Sequence, residues 1–149
     1  MSDEAMMKYW SRAPTRSVEE TRDYFRPIPG MEDWRSWAIT LPEDDRAIGW
    51  VSVGERRQGG VAELGYLLAN EWHGHGYARE AVAAVIDYLF VIENHRRVFA
   101  DTDPDNVASI RVLKALGFTL EGRLRGEWET HIGVRDSLIW GLLKREWRQ

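Results

Sequence analysis

His73-Gly74-His75-Gly76-Tyr77-Ala78-Arg79 decides how this chain folds, because a glycine-rich turn runs directly into an amphipathic helix. After the turn, Ala78, Ala81, Val82, Val85, Ile86 and Leu89 recur at the i, i+3, i+4, i+7 spacing of one buried helical face. The helix is therefore expected to begin at the glycines. At such a start the first four backbone N–H groups lack an intrahelical partner and the macrodipole is positive, which stabilises an anion by about 0.3–1 kcal/mol. Gly74 and Gly76 permit a sharp turn and a close approach of backbone to ligand, so the stretch reads as a phosphate-holding turn.

The neighbours of this turn fit the same unit. Upstream, Val61 to Leu68 reads as a strand; downstream, Arg97 to Asp101 reads as a second, giving strand, turn, helix, strand. A short helix follows, with Asp105 or Asn106 as N-cap and Gly117 as its stop. Ser17-Val18-Glu19-Glu20 fits a capping box that starts a helix running to about Phe25, and Pro27-Ile28-Pro29-Gly30 ends it. Trp34 to Leu41 and Ala47 to Glu55 read as strands, with Pro42 to Asp45 as the turn between them and Gln58-Gly59-Gly60 leading into the next strand. These three strands are expected to form an antiparallel meander. Two further strands are expected at about Phe118 to Trp128 and Asp136 to Trp147. With no repeat, linker or low-complexity stretch, residues 1–149 read as a single α/β domain.

Composition sets outer limits. A chain of 149 residues buries about 68–70% of its unfolded surface, enough for one substantial core. Acidic side chains outnumber basic ones, 24 to 20, for a net charge of −4; this argues against a nucleic-acid partner and favours cationic ones. There is no cysteine, hence no disulfide, thiolate metal site or cysteine nucleophile. No apolar run approaches the ~20 residues that cross a bilayer, and the N-terminus lacks a basic region followed by an apolar one, so no membrane partner and a cytoplasmic location are expected.

In this order the segments resemble the GNAT superfamily of N-acetyltransferases, which bind acetyl-coenzyme A. The family signature Gln/Arg-x-x-Gly-x-Gly/Ala matches His73 to Ala78 at every place but the first, where histidine stands. Asn106 to Gly122, together with Met6 to Ser11 and Ser17 to Glu20, resembles the branch that holds the ribosomal-protein N-terminal acetyltransferases. The resemblance implies a GNAT fold, a mixed central sheet of about six strands flanked by helices. The family normally opens with a strand ahead of the Tyr9-Trp10 region, and here eight residues precede Tyr9, so that strand is expected to be missing. Either the true start lies upstream of Met1, or the sheet has one strand fewer and an edge that a homodimer would cover.

The resemblance also implies acetyl-CoA as cosubstrate. His73, Gly74, His75, Gly76, Tyr77, Ala78 and Arg79 would hold its phosphates. The backbone of Leu67 and Leu68 would pair with its pantetheine arm, where family members splay two parallel strands, and Asn106 and Ser109 would contact it further along. Glu63 occupies the place of the family's catalytic glutamate, with Glu127 and Glu129 as later alternatives. The family's usual acid, a tyrosine four residues before the Gly-Phe pair, is Leu113 here; the N-terminal acetyltransferase branch has a serine three residues after the asparagine, which makes Ser109 the candidate to meet the departing thiolate, against a local helix-capping role for it and departure of the thiolate to water unassisted. Tyr9, Trp10, Trp34 and Trp37 are candidates for the acceptor pocket, although each also fits a core position.

Acetyl transfer requires a neutral amine and a stabilised leaving thiolate. A lysine-like amine near pKa 10.4 costs about 4.6 kcal/mol to deprotonate at pH 7, an α-amine near 7.8 about 1.1, so a site with a weak base favours α-amines. The expected function is acetyl-CoA-dependent N-acetylation of a primary amine, a protein N-terminus or a small amine, by direct attack. The alternative is a non-catalytic module of the same fold that binds coenzyme A or an acyl-CoA. His73 and His75, an i, i+2 pair, could begin a zinc or nickel site, but no third ligand is suggested and no metal is expected.

Overall fold

The computed structural model describes residues 1–26, 34–55 and 58–147; the expected stop at Pro27 to Gly30 lies outside them. Ahead of Trp34 the described residues form two short helices, α1 (Glu4–Met7) and α2 (Val18–Tyr24). Each starts on a side-chain cap: the Asp3 carboxylate accepts from the Ala5 and Met6 N–H groups at a helix the sequence reading did not name, and the expected Ser17 Oγ accepts from Glu20 N at 3.0 Å. The Glu20 carboxylate reaches back past the cap to Arg16 N at 2.7 Å.

Six strands follow, β1 (Trp34–Leu41), β2 (Asp44–Glu55), β3 (Val61–Leu68), β4 (Arg97–Thr102), β5 (Thr119–Thr130) and β6 (Gly133–Leu143). They make one mixed sheet in the order β1-β2-β3-β4-β6-β5, with β1 and β5 as its free edges. β1 to β3 are the expected antiparallel meander, and β3 and β4 are parallel. Helix α3 (Tyr77–Asp87) crosses between the parallel pair, and α4 (Val107–Ala115) connects β4 to β5.

The core sits between the sheet and α3. Val82, Val85, Ile86 and Leu89 meet Val51 and Val53 of β2, Ala62, Leu64 and Leu68 of β3 and Val98 and Ala100 of β4, with Leu113 and Leu116 closing the α4 side. The helix does not stop at Asp87. It passes through a π-helical turn, Tyr88–Ile92, that buries Leu89 and Phe90 and leaves Val91 and Ile92 on the surface.

Four strand ends differ from expectation. The turn after β1 is only Pro42-Glu43, and β2 starts at Asp44, because an exposed strand end tolerates Asp44, Asp45 and Arg46. β5 runs on to Thr130 and β6 begins at Gly133. β6 ends at Leu143, not Trp147: the Glu146 carboxylate accepts from Leu143 N at 3.0 Å, and this local bond turns Lys144–Glu146 into a 3₁₀ turn. Trp147 is then carried back to α3, where its indole donates to Asp87 Oδ1 at 2.6 Å. No described helix is long and apolar enough to cross a membrane.

Candidate active site

β3 and β4 are paired only over Val61↔Arg97, Ala62↔Val98 and Glu63↔Phe99. Beyond Glu63, β3 stays with β2 as far as Leu68↔Gly49, and β4 stays with β6 as far as Thr102↔Leu138. The two strands therefore diverge. The main-chain groups of Leu64 to Leu68 that point away from β2 have no β4 ladder partner among the described residues, and one of them, the Leu68 carbonyl, lies 2.9 Å from His73 Nε2. A cleft of about 1380 Å³ fills the fork.

Paired residues share a sheet face, so the register sorts the lining. Glu63, Gly65 and Leu67 line the cleft from one face; Leu64, Tyr66 and Leu68 line it from the other, under α3 and α4. The cleft thus passes through the sheet.

At one end stands the glycine turn. Gly74 and Gly76 have φ of +82° and +87°, a region that side chains with a Cβ rarely adopt. Gly76 is the N-cap of α3 and offers no side-chain cap, so the first N–H groups of an 11-residue helix are available to a ligand. Leu67, Leu68, His73, Gly74, Gly76, Tyr77, Ala78 and Arg79 all border the cleft. His75 does not. Its ring stacks on Tyr77 with centroids 5.7 Å apart, because the positive φ on either side turns it outward. An uncapped helix end beside an unpaired strand edge suits a ligand that joins phosphates to an amide-bearing arm, as coenzyme A does.

On the helix face, Asn106 is the N-cap of α4 and its Oδ1 accepts from Ser109 N at 3.2 Å. The capping role expected as the plainer alternative is thus real, and it leaves the Asn106 NH₂ for the cleft that the residue borders. Ser109 also borders the cleft, and its Oγ lies 2.7 Å from the Tyr66 hydroxyl. The same phenol is 3.1 Å from the Ser109 carbonyl oxygen. Burial pushes the Tyr66 phenol up to about 12, against the opposing pull of its bond to Ser109. Leu113 is fully buried in the core, so the position of the family's acid faces no ligand.

On the other face the walls are aromatic. Trp50 meets Trp10 and Phe25 edge to face at 5.7 and 5.3 Å, and the Trp10 indole donates to the Tyr24 hydroxyl at 3.1 Å. Trp34 lies over Gly54, where a Cβ would run into its ring, and Gly54 is the β2 partner of Glu63. Tyr9, Trp10 and Trp34 line the cleft. Trp37 is on the opposite face, 6.0 Å from Tyr88. Trp128 borders the cleft while Glu127 and Glu129 are exposed outside it, because alternation along β5 turns them the other way.

Among the cleft residues that the sequence did not single out are Tyr66, Asp101 and Asp103. Tyr66 sits in an apolar strand and turns to the helix face, where a buried phenol needs a partner; that need is the one signal the sequence carried. Asp101, on the same face as Glu63, accepts from the Trp128 indole at 3.1 Å. Burial pushes its carboxyl above the usual range, the Glu127 charge adds to this, and the Trp128 bond opposes it. Asp103, two residues on, is held below that range by two hydrogen bonds from Arg135, at 2.7 and 2.9 Å.

Away from the cleft, His95 is buried with Nε2 2.6 Å from Glu55 Oε1 and Nδ1 3.5 Å from Glu93, whose carboxylate also pairs with Arg35. It is the one cluster of metal-ligand type among the described residues, and neither His73 nor His75 belongs to it. Nε2 faces Glu55 and Nδ1 faces Glu93, so the two carboxylates stand at different edges of the ring.

A family model for the GNAT acetyltransferase domain matches residues 1–119. An uncharacterised N-acetyltransferase, p20, of Bacillus licheniformis is 33% identical over 98% of this chain and 84% of that protein. The ribosomal-protein-S5-alanine acetyltransferase of Vibrio fischeri superposes with a TM-score of 0.77 at 25% identity, over 91% of this chain and 80% of that one. A spermidine N-acetyltransferase from Vibrio cholerae, solved with CoA and spermine, superposes with a TM-score of 0.83 at 23% identity, over 97% of this chain and 86% of its own. With the forked parallel strands and the uncapped glycine turn between them, these matches show that the chain is an acetyltransferase and belongs to the GNAT family.

Proposed function

We propose that the protein transfers acetyl from acetyl-CoA to a primary amine by direct attack, with peptide or protein α-amines favoured over lysine-like ones. The observation that carries this reading is the single cleft through the β3/β4 fork, which has helix-end donors at one end and aromatic walls with carboxylates at the other. The amine nitrogen forms the new C–N bond, the thioester C–S bond breaks, the amine's proton goes to Glu63, and the departing sulfur takes a hydrogen bond from Ser109. Glu63 and Ser109 lie on opposite faces of β3, so proton removal and leaving-group support are served from different sides. Lowering the cost of the free amine is the smaller task for an α-amine, about 1.1 against about 4.6 kcal/mol at pH 7. The aromatic and acidic chamber is consistent with a cationic acceptor.

The test is an acceptor screen read by mass shift, comparing N-terminal peptides with spermidine and other small amines at pH 7 and pH 9. A gain of one acetyl on peptide α-amines, with lysine-like amines catching up at the higher pH, is expected. Tight acetyl-CoA binding with no acetyl transfer to any amine would make the protein a coenzyme A-binding module instead.

A further inference from the structure

We infer that Tyr66 is a positioning residue that holds the Ser109 hydroxyl ready to donate to the departing sulfur. The inference rests on the acetyl-transfer reading above and adds a residue to it. The phenol of Tyr66 has one proton and two acceptors within reach, the Ser109 carbonyl oxygen at 3.1 Å and Ser109 Oγ at 2.7 Å. It can serve only one at a time. When the phenol donates to the carbonyl, Ser109 Oγ–H donates back to the phenol oxygen and its proton is turned away from the cleft. When the phenol donates to Oγ, the serine keeps its own proton free for the cleft that both residues border.

Negative charge growing on sulfur favours the second arrangement, since it attracts the serine proton and makes Oγ a better acceptor. Two hydroxyl rotations change one arrangement into the other. No bond to carbon changes, and no heavy atom needs to move. The backbone keeps the pair in register: Ser109 is fixed in the first turn of α4 by its N–H bond to Asn106, and Tyr66 stands on β3 beside the buried Leu64 and Leu68. Because burial pushes the phenol up to about 12, it stays protonated at any working pH and acts as a constant donor.

The inference also accounts for a serine serving where the family uses a tyrosine. A lone serine hydroxyl rotates and has many acceptors to choose from. One whose oxygen is already taken by a phenol donor has its proton aimed elsewhere, which is the preorganisation that makes such a donor effective.

The test is a double-mutant cycle of Tyr66→Phe and Ser109→Ala, with kcat, KM for the amine, acetyl-CoA affinity and melting temperature measured for each. Expected are a fall in kcat of about 10²–10³-fold for Ser109→Ala and of at least about tenfold for Tyr66→Phe, the latter with acetyl-CoA affinity held, and a double variant no slower than Ser109→Ala alone. The fall for Tyr66→Phe should be constant between pH 6 and pH 9. A slow Ser109→Ala beside a normal Tyr66→Phe overturns the role of Tyr66 and leaves that of Ser109 standing. Losses that multiply in the double variant, or a loss for Tyr66→Phe that appears in acetyl-CoA affinity, also overturn it. A normal Ser109→Ala overturns the Ser109 assignment itself. Should Tyr66→Phe not fold, a fluorotyrosine at position 66, similar in shape and a stronger donor, is expected to retain kcat; a tenfold loss there would again reject the idea.

Discussion

The two halves of β3 behave differently. At Ala62 and Glu63 the strand is paired with β2 on one side and β4 on the other, and Val61 pairs with β4; over Leu64 to Leu68 it is paired with β2 alone. Opening a ladder strands polar groups, so the fork must be supported elsewhere. Support comes from three sources. β4 finds a full partner in β6, whose six pairs run past the point of divergence. Leu64 and Leu68 remain buried against the core, so the open half gives up backbone bonds and not apolar burial. Side chains brace the closed half, since Arg35, Glu93, His95 and Glu55 link β1, the end of the π-helical turn and β2 just before β4 begins. A site made of unpaired backbone is therefore stable where each diverging strand keeps its other neighbour.

That contrast predicts where substitutions act. The largest effect is expected at the fork itself: Glu63→Gln should lower kcat about 10²-fold or more with acetyl-CoA binding unchanged, the loss shrinking as pH rises and free amine becomes abundant. Wild-type rates near pH 7 would move the base to Asp101 or to water. In the closed half the effect should be on stability. His95→Ala leaves Glu55 without its buried partner and is expected to cost about 1–3 kcal/mol, a fall of several degrees in Tm, with acetyl-CoA affinity retained. Loss of affinity without loss of stability there would show that the two halves are coupled.

In the open half, Gly76→Val forces a branched residue onto a φ of +87° and crowds the helix end, so the Kd for acetyl-CoA should rise at least tenfold, about 1.4 kcal/mol, by calorimetry on the folded variant. The smallest effects concern a pair of carboxylates with opposite signs. Asp101 binds its proton more tightly when folded, so its ionisation lowers stability as pH rises from about 4 through its raised folded value; Asp101→Asn should melt at or above wild type at pH 7. Asp103 is shifted down, so its contribution is present above about pH 4 and is lost as pH falls; Asp103→Asn should flatten the acid limb of the Tm profile.

The sequence was most readable where local chemistry sets structure. β1 and β3 match their expected limits, α3 starts at the glycines, and α4 is capped by Asn106 and ends in Gly117 at φ +85°. Strand ends were less readable, because whether Asp44 or Lys144 continues a ladder depends on an exposed edge or on a Glu146 bond that periodicity does not encode. In the site, the glycine turn and the end of β3 border the cleft, while several side chains named from the sequence do not. Trp37, Glu127 and Glu129 fall away from the cleft by a parity of one residue, which pairing register alone decides. Tyr66 and Ser109 are 43 positions apart, and only the packing of α4 over the fork brings their hydroxyls together.

A slot that runs through a sheet has two mouths. On the proposed reading, donor and acceptor approach from opposite sides and meet at the fork, so neither needs to leave before the other can enter. Rate measurements at varied concentrations of both substrates should then give intersecting double-reciprocal lines, the mark of a ternary complex, whereas parallel lines would mean that acetyl rests on the protein between two visits. The products part by separate doors as well. Free coenzyme A should compete with acetyl-CoA for its own mouth and leave the other open to the amine.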